Sequence, residues 1–322
     1  MFYSIIVPLY NRPQEIKELL ESLTLQTYTQ FEVLIIEDGS TKDSADIVNS
    51  FADKLNIKYF AKENTGQGFS RNYGFERAKG DYFIVFDSDC LIPEDYLQIV
   101  NDHLTNNWLD AFGGPDAAHP SFTPTQKAIS YSMTSPFTTG GIRGGKKGMG
   151  KFQPRSFNMA ISREVWDKTG GFKMTRFSED IEFSIRMQSM GFKVGLIPEA
   201  KVYHKRRTNF YQFFKQIFSF GRGRVNIYKY FPKGLKLVHF FPSAFTLYLL
   251  FTLISNLLNC PIAIICNYIL AIFILLIFFH AWWKNNSVKI AFLSVIASFI
   301  QLTAYGLGFM KDLWKCVIIN RS

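Results

Sequence analysis

Apolar positions in the first two hundred residues switch repeatedly between a strand-like and a helix-like period. Ser4–Val7 reads as a short buried strand ended by Pro8, and Ile16, Leu19, Leu20 and Leu23 form one stripe of a helix starting near Pro13. Phe31–Ile36 is a nearly uninterrupted apolar strand that delivers Glu37-Asp38-Gly39-Ser40 at its end, and Ser40 to Asp43 supply caps for a helix bearing Ile47, Val48 and Phe51. Ile57–Phe60 predicts a third strand, followed by Asn64-Thr-Gly-Gln-Gly68 and a helix that holds Arg71, Asn72 and Arg77. Tyr82–Phe86 is aromatic or β-branched, a fourth strand. Later, Ser178 opens a helix with Ile181 and Ile185 on its stripe and Gly191 as its stop. Lys193–Ile197 and Ala200–Tyr203 are strand-like again. Strands alternating with helices predict an α/β fold with a mainly parallel sheet.

Beyond residue 240 the pattern changes. From Phe241 to Met310 only Lys284 and Lys289 are charged, and Phe240–Leu258, Pro261–Trp283 and Ile290–Met310 are each about long enough to cross a bilayer core. Trp282, Trp283 and Trp314 lie near the ends of these runs, as interfacial aromatics do. The short Asn259-Cys260 connection predicts a tight hairpin, giving either three crossings or two with a re-entrant piece.

Charge sharpens this division. The net charge of +10 is carried by residues 201–240, which hold ten Lys and Arg and no Asp or Glu; the rest of the chain balances. That excludes a generally nucleic-acid-binding domain and predicts a local basic device beside the membrane, where each cation near an anionic leaflet contributes about 1 kcal/mol. Phe210, Phe213, Phe214, Ile217 and Phe218 interleave with these cations, an amphipathic stretch suited to a lipid interface. Cys90, Cys260, Cys266 and Cys316 show neither a disulfide framework nor metal-finger spacing, which suits a reducing location. The chain enters a strand at once, so no cleavable signal peptide is expected. The expected organisation is an α/β domain over 1–204, a basic amphipathic segment over 205–237, two to three transmembrane helices over 238–311 and a short tail over 312–322.

In open α/β sheets ligands sit outside the carboxyl ends of the strands. Pro8–Arg12, Glu37-Asp38, Asn64–Arg71 and Asp87–Asp89 all fall at such ends. Asp87-Ser88-Asp89 offers two carboxylates one residue apart; such oxygens suit Mg²⁺ or Mn²⁺ together with substrate phosphates, and the same pair also makes an ordinary solvated turn. Glu179-Asp180 is a second pair, at a helix start, where acids are favourable by ~0.3–1 kcal/mol in any case. No G-x-G-x-x-G follows the first strand, which excludes a dinucleotide-dependent oxidoreductase. Thr138–Lys151 is glycine-rich and basic, and Gly145–Lys151 satisfies G-x-x-x-x-G-K. Phe152 stands where a phosphate loop needs Ser or Thr and no helix pattern follows, so a loop closing over donor or acceptor is expected, its Arg143, Lys146 and Lys147 suiting a phosphate-bearing lipid.

Taken together, Val7-Pro8-Leu-Tyr-Asn11, Glu37-Asp-Gly-Ser40, Asn64-x-Gly66 with Ser70-Arg-Asn72 and Gly74, Asp87-Ser-Asp89, Asn158-Met-Ala160, Gly170-Gly-Phe172 and Ser178-Glu-Asp180 resemble the GT-A fold family 2 glycosyltransferases over the N-terminal two-thirds of the chain. The resemblance implies transfer, with inversion, from a nucleotide-diphosphate sugar to a hydroxyl acceptor. It implies that Asp38 accepts from the base, that Pro8 and Tyr10 shape the nucleoside pocket, that Asn11 and Asn64 bind substrate, and that Arg71 approaches base or phosphates. Asp87 and Glu179 would address the donor, Asp89 and His204 a Mn²⁺ or Mg²⁺ ion, and Asp180 would be the general base. Gln216-Ile-Phe-Ser-Phe220 lacks the arginine and tryptophan of the Gln-x-x-Arg-Trp string of processive synthases, which speaks against polymer synthesis. The expected setting is the cytoplasmic face of the cell (inner) membrane, with a lipid-linked saccharide as acceptor in envelope glycan assembly. Polyprenyl phosphate as the acceptor, and a non-catalytic nucleotide-binding membrane module, are the alternatives.

Overall fold

The computed structural model describes residues 1–139, 152–176, 178–232 and 235–317. The glycine-rich basic stretch over 140–151, with Arg143, Lys146 and Lys147, lies outside them. The chain divides into two compact units, Met1–His119 with Gly148–Lys205 and Pro120–Lys147 with Arg206–Ser322. The first unit is thus discontinuous, unlike the unbroken 1–204 domain expected from the sequence.

In chain order the first unit begins with β1 (Tyr3–Leu9), α1 (Pro13–Leu23), β2 (Phe31–Asp38), α2 (Ala45–Asn49), β3 (Ile57–Lys62), α3 (Gln67–Arg77) and β4 (Tyr82–Phe86). It continues through β5 (Cys90–Leu91), α4 (Tyr96–Asn106), β6 (Ala111–Gly113) and β7 (Asp116–Ala117). Then α5 (Pro124–Thr134) and α6 (Pro136–Thr139) belong to the second unit. The first unit resumes with β8 (Asn158–Ser162), α7 (Arg163–Thr169), α8 (Glu179–Ser189), β9 (Val194–Leu196) and β10 (Val202–His204). The second resumes with α9 (Phe210–Tyr230), α10 (Phe241–Leu257), α11 (Ile262–Asn285) and α12 (Val288–Val317).

Among the described residues, the main sheet of the first unit has the order β3-β2-β1-β4-β8-β6-β9. The first four strands are mutually parallel, β8 is antiparallel to β4 and β6, and β9 is parallel to β6. Strands flanked by helices on both faces must be apolar on both, and β1, β2 and β4 are buried almost throughout. Alternate side chains divide between two cores. Ile5, Val7, Val33 and Ile35 pack with the apolar stripes of α1 and α4, whereas Ile6, Leu34, Ile36 and Val85 pack with Phe75, Val165 and Phe183 of α3, α7 and α8. Glu32 is the polar exception inside β2; its carboxylate accepts from Ser4 Oγ at 2.8 Å, Lys79 N at 2.6 Å and Lys58 Nζ at 2.9 Å. A second small sheet, β5-β10-β7, sets His204 opposite Cys90.

In the second unit, Leu237–Leu257, Ile262–Asn285 and Val288–Cys316 are long and apolar enough to cross a membrane. α12 is the most enclosed of the three and packs with α5, α9, α10 and α11. Part of the apolar stripe of α9 therefore does not face lipid: Phe213 and Ile217 are buried with Ala297 and Ala304 of α12. The helices approach closely through glycine. A Cβ at Gly221 would stand 2.2 Å from Tyr305 O, one at Gly308 2.1 Å from Phe218 O, and one at Gly306 2.5 Å from Pro242 O. Small residues at such crossings are the usual means of helix association where apolar burial gives no drive. Arg222 Nε closes the α9–α12 pair on the Asp312 carboxylate, 3.1 and 3.0 Å from its two oxygens.

Candidate active site

The parallel strands β3, β2, β1 and β4 bring their carboxyl ends to one edge of the first unit, and the polar clusters gather there. Asp38 ends β2 buried. Its carboxylate accepts from Thr65 N and Gly66 N, each at 2.9 Å, and pairs with Lys62. Asn64 Nδ2 donates to Asp38 O at 2.7 Å, and Asn64 Oδ1 accepts from Arg176 at 2.8 Å. Gly66, at φ +88°, allows the chain to reverse there into α3; a Cβ would come 2.1 Å from Thr175 Oγ1. Burial pushes the Asp38 carboxyl up, but Lys62 and the Thr65 amide outweigh it and hold its pKa below the ordinary value.

Asn11 does similar work between β1 and β2. It sits at φ +53°, its amide donates to Ser40 Oγ at 2.7 Å, and its Oδ1 accepts from Thr41 N at 2.9 Å and Lys42 N at 3.0 Å. Asp38, Asn64 and Asn11 thus build the rim of the site with bonds to the chain itself. Tyr10 leaves 51% of its surface exposed at that rim, and Pro8 is half-buried beside Ile36 of β2.

Arg71, expected to approach base or phosphates, is engaged by carboxylates of the chain itself. It is fully buried, donates to Glu179 Oε1 at 3.0 Å and to Asp87 Oδ1 at 2.9 Å, and lies over the Phe172 ring at 5.3 Å. Gln67 also donates to Glu179. Both outer nitrogens of the guanidinium are committed to carboxylates of the chain, so Arg71 ties α3, the end of β4 and the start of α8 together. Burial works against its charge, but Asp87 and Glu179 more than restore it. Glu179, buried and next to Asp180, is pushed up despite Arg71. The Asp87 side chain keeps 32% exposure. Asn72 locks the adjoining loop, donating to Phe172 O and accepting from Phe172 N, both at 2.8 Å.

Asp89 and His204 do come together. His204 Nε2 lies 3.1 Å from Asp89 Oδ1, and Arg12 pairs with the other carboxylate oxygen. Burial opposes ionisation of Asp89, yet His204 and Arg12 hold its carboxyl far below the usual carboxylate range. Although close, Asp89 Oδ1 makes no aligned hydrogen bond, and His204 Nδ1 has none either; both atoms are buried. Buried polar atoms of this kind are satisfied when a water or an ion supplies the partner. Asp89, His204 and Cys90 form a cluster whose ligand atoms lie within 4.8 Å of one another. Burial pushes the Cys90 thiol well up, and Cys90 Sγ instead donates to Phe157 O at 3.6 Å. The donors suited to a cation are therefore one carboxylate and one imidazole, a set that fits Mn²⁺ or Mg²⁺ completed by phosphate oxygens and water. The His204 ring is held by stacking on Phe157, centroids 4.9 Å apart at 26°.

Asp180 opens α8 after Ser178, which stands at φ +69°. Its Oδ1 accepts from Ile181 N at 2.8 Å, and its Oδ2 lies 3.6 Å from Arg155 Nη1. Arg12 lies in the Pro8–Arg12 cluster read from the sequence, where no role was assigned to it; Arg155 is the site residue that sequence reasoning missed, having no local pattern around it.

The structure is an open, mainly parallel α/β sheet with acidic groups gathered at the carboxyl ends of its strands and at the start of α8. The family model for "Glycosyl transferase family 2" matches residues 4–181, and the chain belongs to that family. An uncharacterized glycosyltransferase from Haemophilus influenzae is 31% identical over 215 residues, covering 64% of this chain and 70% of that protein. The chain spans only 16% of the length of a matching Rickettsia felis glycosyltransferase. Among solved structures, the mannosyltransferase PcManGT from Pyrobaculum calidifontis, in complex with GDP-Man and Mn²⁺, is similar with TM-score 0.60 and 16% identity, covering 97% of this chain and 87% of that one. The S. aureus protein TarS (1–349), in complex with UDP-GlcNAc, is similar with TM-score 0.51 and 20% identity over 70% of this chain and 67% of that one.

Proposed function

We propose that the chain is a membrane-anchored, divalent-metal-dependent inverting glycosyltransferase. It moves a sugar from a nucleotide-diphosphate sugar to a hydroxyl of a lipid-linked saccharide, at the cytoplasmic face of the cell membrane. The observation that carries this reading is the buried Asp89–His204 pair, carboxylate and imidazole 3.1 Å apart, at the strand-end edge that also holds Glu179-Asp180.

In this reading Asp180 takes the proton of the acceptor hydroxyl as that oxygen attacks the anomeric carbon, and the nucleoside diphosphate departs with the electrons of the broken bond. Asp89 and His204 would hold a Mn²⁺ or Mg²⁺ ion, which would supply positive charge against the departing diphosphate. The exposed edge of Asp87 faces a donor hydroxyl. Asp38, Asn11 and Asn64 present the rim on which the nucleoside rests, with Tyr10 as its exposed aromatic surface. The three apolar helices would anchor the chain in a membrane, and the cations of the 201–240 segment favour an anionic leaflet.

The test is a thermal-stability screen of the full chain in detergent micelles with UDP-GlcNAc, GDP-mannose and other nucleotide sugars, with and without MnCl₂, followed by label transfer from the stabilising donor into lipid extract. Metal-dependent stabilisation by one donor and a labelled lipid product are the expected results. Stabilisation by nucleotide without any transfer would establish a non-catalytic binding module instead. A product labile to mild acid would move the acceptor to polyprenyl phosphate.

A further inference from the structure

The segment that leads into β8 is laced along α8. Gln188 Nε2 donates to Phe152 O, and the Ser184 hydroxyl divides its proton between Asp180 O at 2.7 Å and Pro154 O at 3.2 Å. Asp180 Oδ2 meets Arg155 Nη1 at 3.6 Å. Positions 180, 184 and 188 recur every four residues and so share one face of the helix. The segment is also pinned from behind. Asn158 N donates to Arg155 O at 2.9 Å, while the Asn158 side chain accepts from Tyr96 Oη at 2.6 Å and donates to Ala200 O at 2.8 Å. A Cβ at Gly113 would already stand 3.1 Å from Pro154 Cα.

Arg155 is therefore fixed through its main chain and directed at Asp180. The Asp180 carboxylate accepts from Ile181 N at one oxygen and has the Arg155 guanidinium 3.6 Å from the other, so turning it would move it away from both. Arg71 from α3 and Glu179 of its own helix also feel the Asp180 charge, and these two are paired with each other. We infer that Arg155 is the positioning residue for Asp180 and that Phe152–Arg155 is the strap that keeps it in place. This rests on Asp180 being the base. The contact is one nitrogen approaching one oxygen, not a two-pronged fork, so the point charge of a lysine can replace it.

Arg155→Met, Arg155→Lys, Gln188→Ala and Asp180→Asn, each as the full chain in micelles, are compared for transfer from the radiolabelled donor chosen by the screen to lipid extract, and for binding of the matching nucleoside diphosphate. A base displaced by about 1 Å loses on the order of 10²-fold in rate. Arg155→Met is expected to lower kcat by roughly 10- to 100-fold with donor KM and nucleotide affinity within about 3-fold of the parent, on that same scale. Arg155→Lys should recover most of the loss, and Gln188→Ala, which leaves the ion pair in place but loosens the strap, should fall between. Where Arg155→Met lowers the melting temperature, Gln188→Ala and Arg155→Lys carry the measurement. An unchanged kcat in both Arg155 variants, a raised donor KM at unchanged kcat, or an Arg155→Lys enzyme as damaged as Arg155→Met would overturn the positioning role. Turnover retained in Asp180→Asn would overturn the base assignment and the strap with it; loss of transfer in Asp180→Asn beside an unaffected Arg155→Met removes the strap alone.

Discussion

His204 Nε2 stands 3.1 Å from Asp89 Oδ1 because β10 pairs antiparallel with β5 and sets His204 against Cys90, the neighbour of Asp89. Two side chains far apart in sequence are thus brought together as one carboxylate and one imidazole. Replacing either should weaken cation binding. We expect His204→Ala and Asp89→Asn each to cut the affinity for Mn²⁺ by at least about 10-fold, the order seen when a metal site loses a supporting group. The measure is the Mn²⁺ concentration dependence of the melting temperature in the presence of nucleoside diphosphate. Equal dependence in parent and both variants would remove the site.

Asp180→Asn keeps the size of the side chain and its contact with Ile181 N but cannot take up a proton. Loss of general-base catalysis is expected to lower kcat by about 10²- to 10⁴-fold. Nucleotide affinity, followed by the same melting shift, should stay near the parent value.

Arg71 separates a structural from a substrate-binding role. Arg71→Met leaves Glu179 buried beside Asp87 without its cation, and breaking a buried pair in this way costs about 3–5 kcal/mol. A marked fall in melting temperature is expected, and Arg71→Lys should not restore it, since one ammonium cannot reproduce the forked contact. Weaker nucleotide binding at unchanged stability would instead place Arg71 on the donor phosphates.

Acid should destabilise the first unit. Burial raises the Glu32 and Asp38 carboxyls, but Lys58 and Lys62, with backbone amides, bring both below their ordinary values. A carboxyl whose folded pKa is depressed contributes stability that is complete above its unfolded value, near 4, and is lost as pH falls through the folded one. Glu179 runs the other way: its raised pKa favours the folded state below the unfolded value and loses that contribution as pH rises through the folded one. Urea midpoints should therefore fall between about pH 5 and 2, with a shallower slope in Glu32→Gln, each unit of pKa difference being worth about 1.4 kcal/mol. An identical slope in the variant would exclude Glu32 as a source.

Gly221→Val tests the helix crossing. The new Cβ has Tyr305 O at 2.2 Å and backbone on the other side, so α9 and α12 must part. Overpacking of this kind costs about 1–3 kcal/mol, seen as a lower melting temperature in micelles, whereas Gly170→Ala, with nothing within 4 Å of the added carbon, meets no such contact and bears only its left-handed backbone.

Much of the architecture follows from neighbours in the chain. The switch between periods, the apolar runs beyond residue 240 and the polar clusters at the strand ends are local properties, because burial of a strand or a helix face is written into every second, third or fourth residue. The same holds for Asp87-Ser88-Asp89 and Glu179-Asp180, which are each contiguous. What each side chain binds was not local. The sequence places Arg71 on the helix after Asn64–Gly68, and only the packing of α3 on α8 brings it to Glu179, 108 residues away. Arg155 sits in a stretch without period, and its direction is set by hydrogen bonds to α8. The grouping of α5 with the C-terminal helices depends on long-range burial that no pattern within residues 120–134 contains. The sequence alone determined the alternation of strands and helices up to Phe86, the apolar spans and which carboxylates were available; the tertiary structure alone decided the elements between Phe86 and Ser178 and which of those carboxylates are already paired, because an ion pair depends on how strands are ordered in space and not on how they follow one another in the chain.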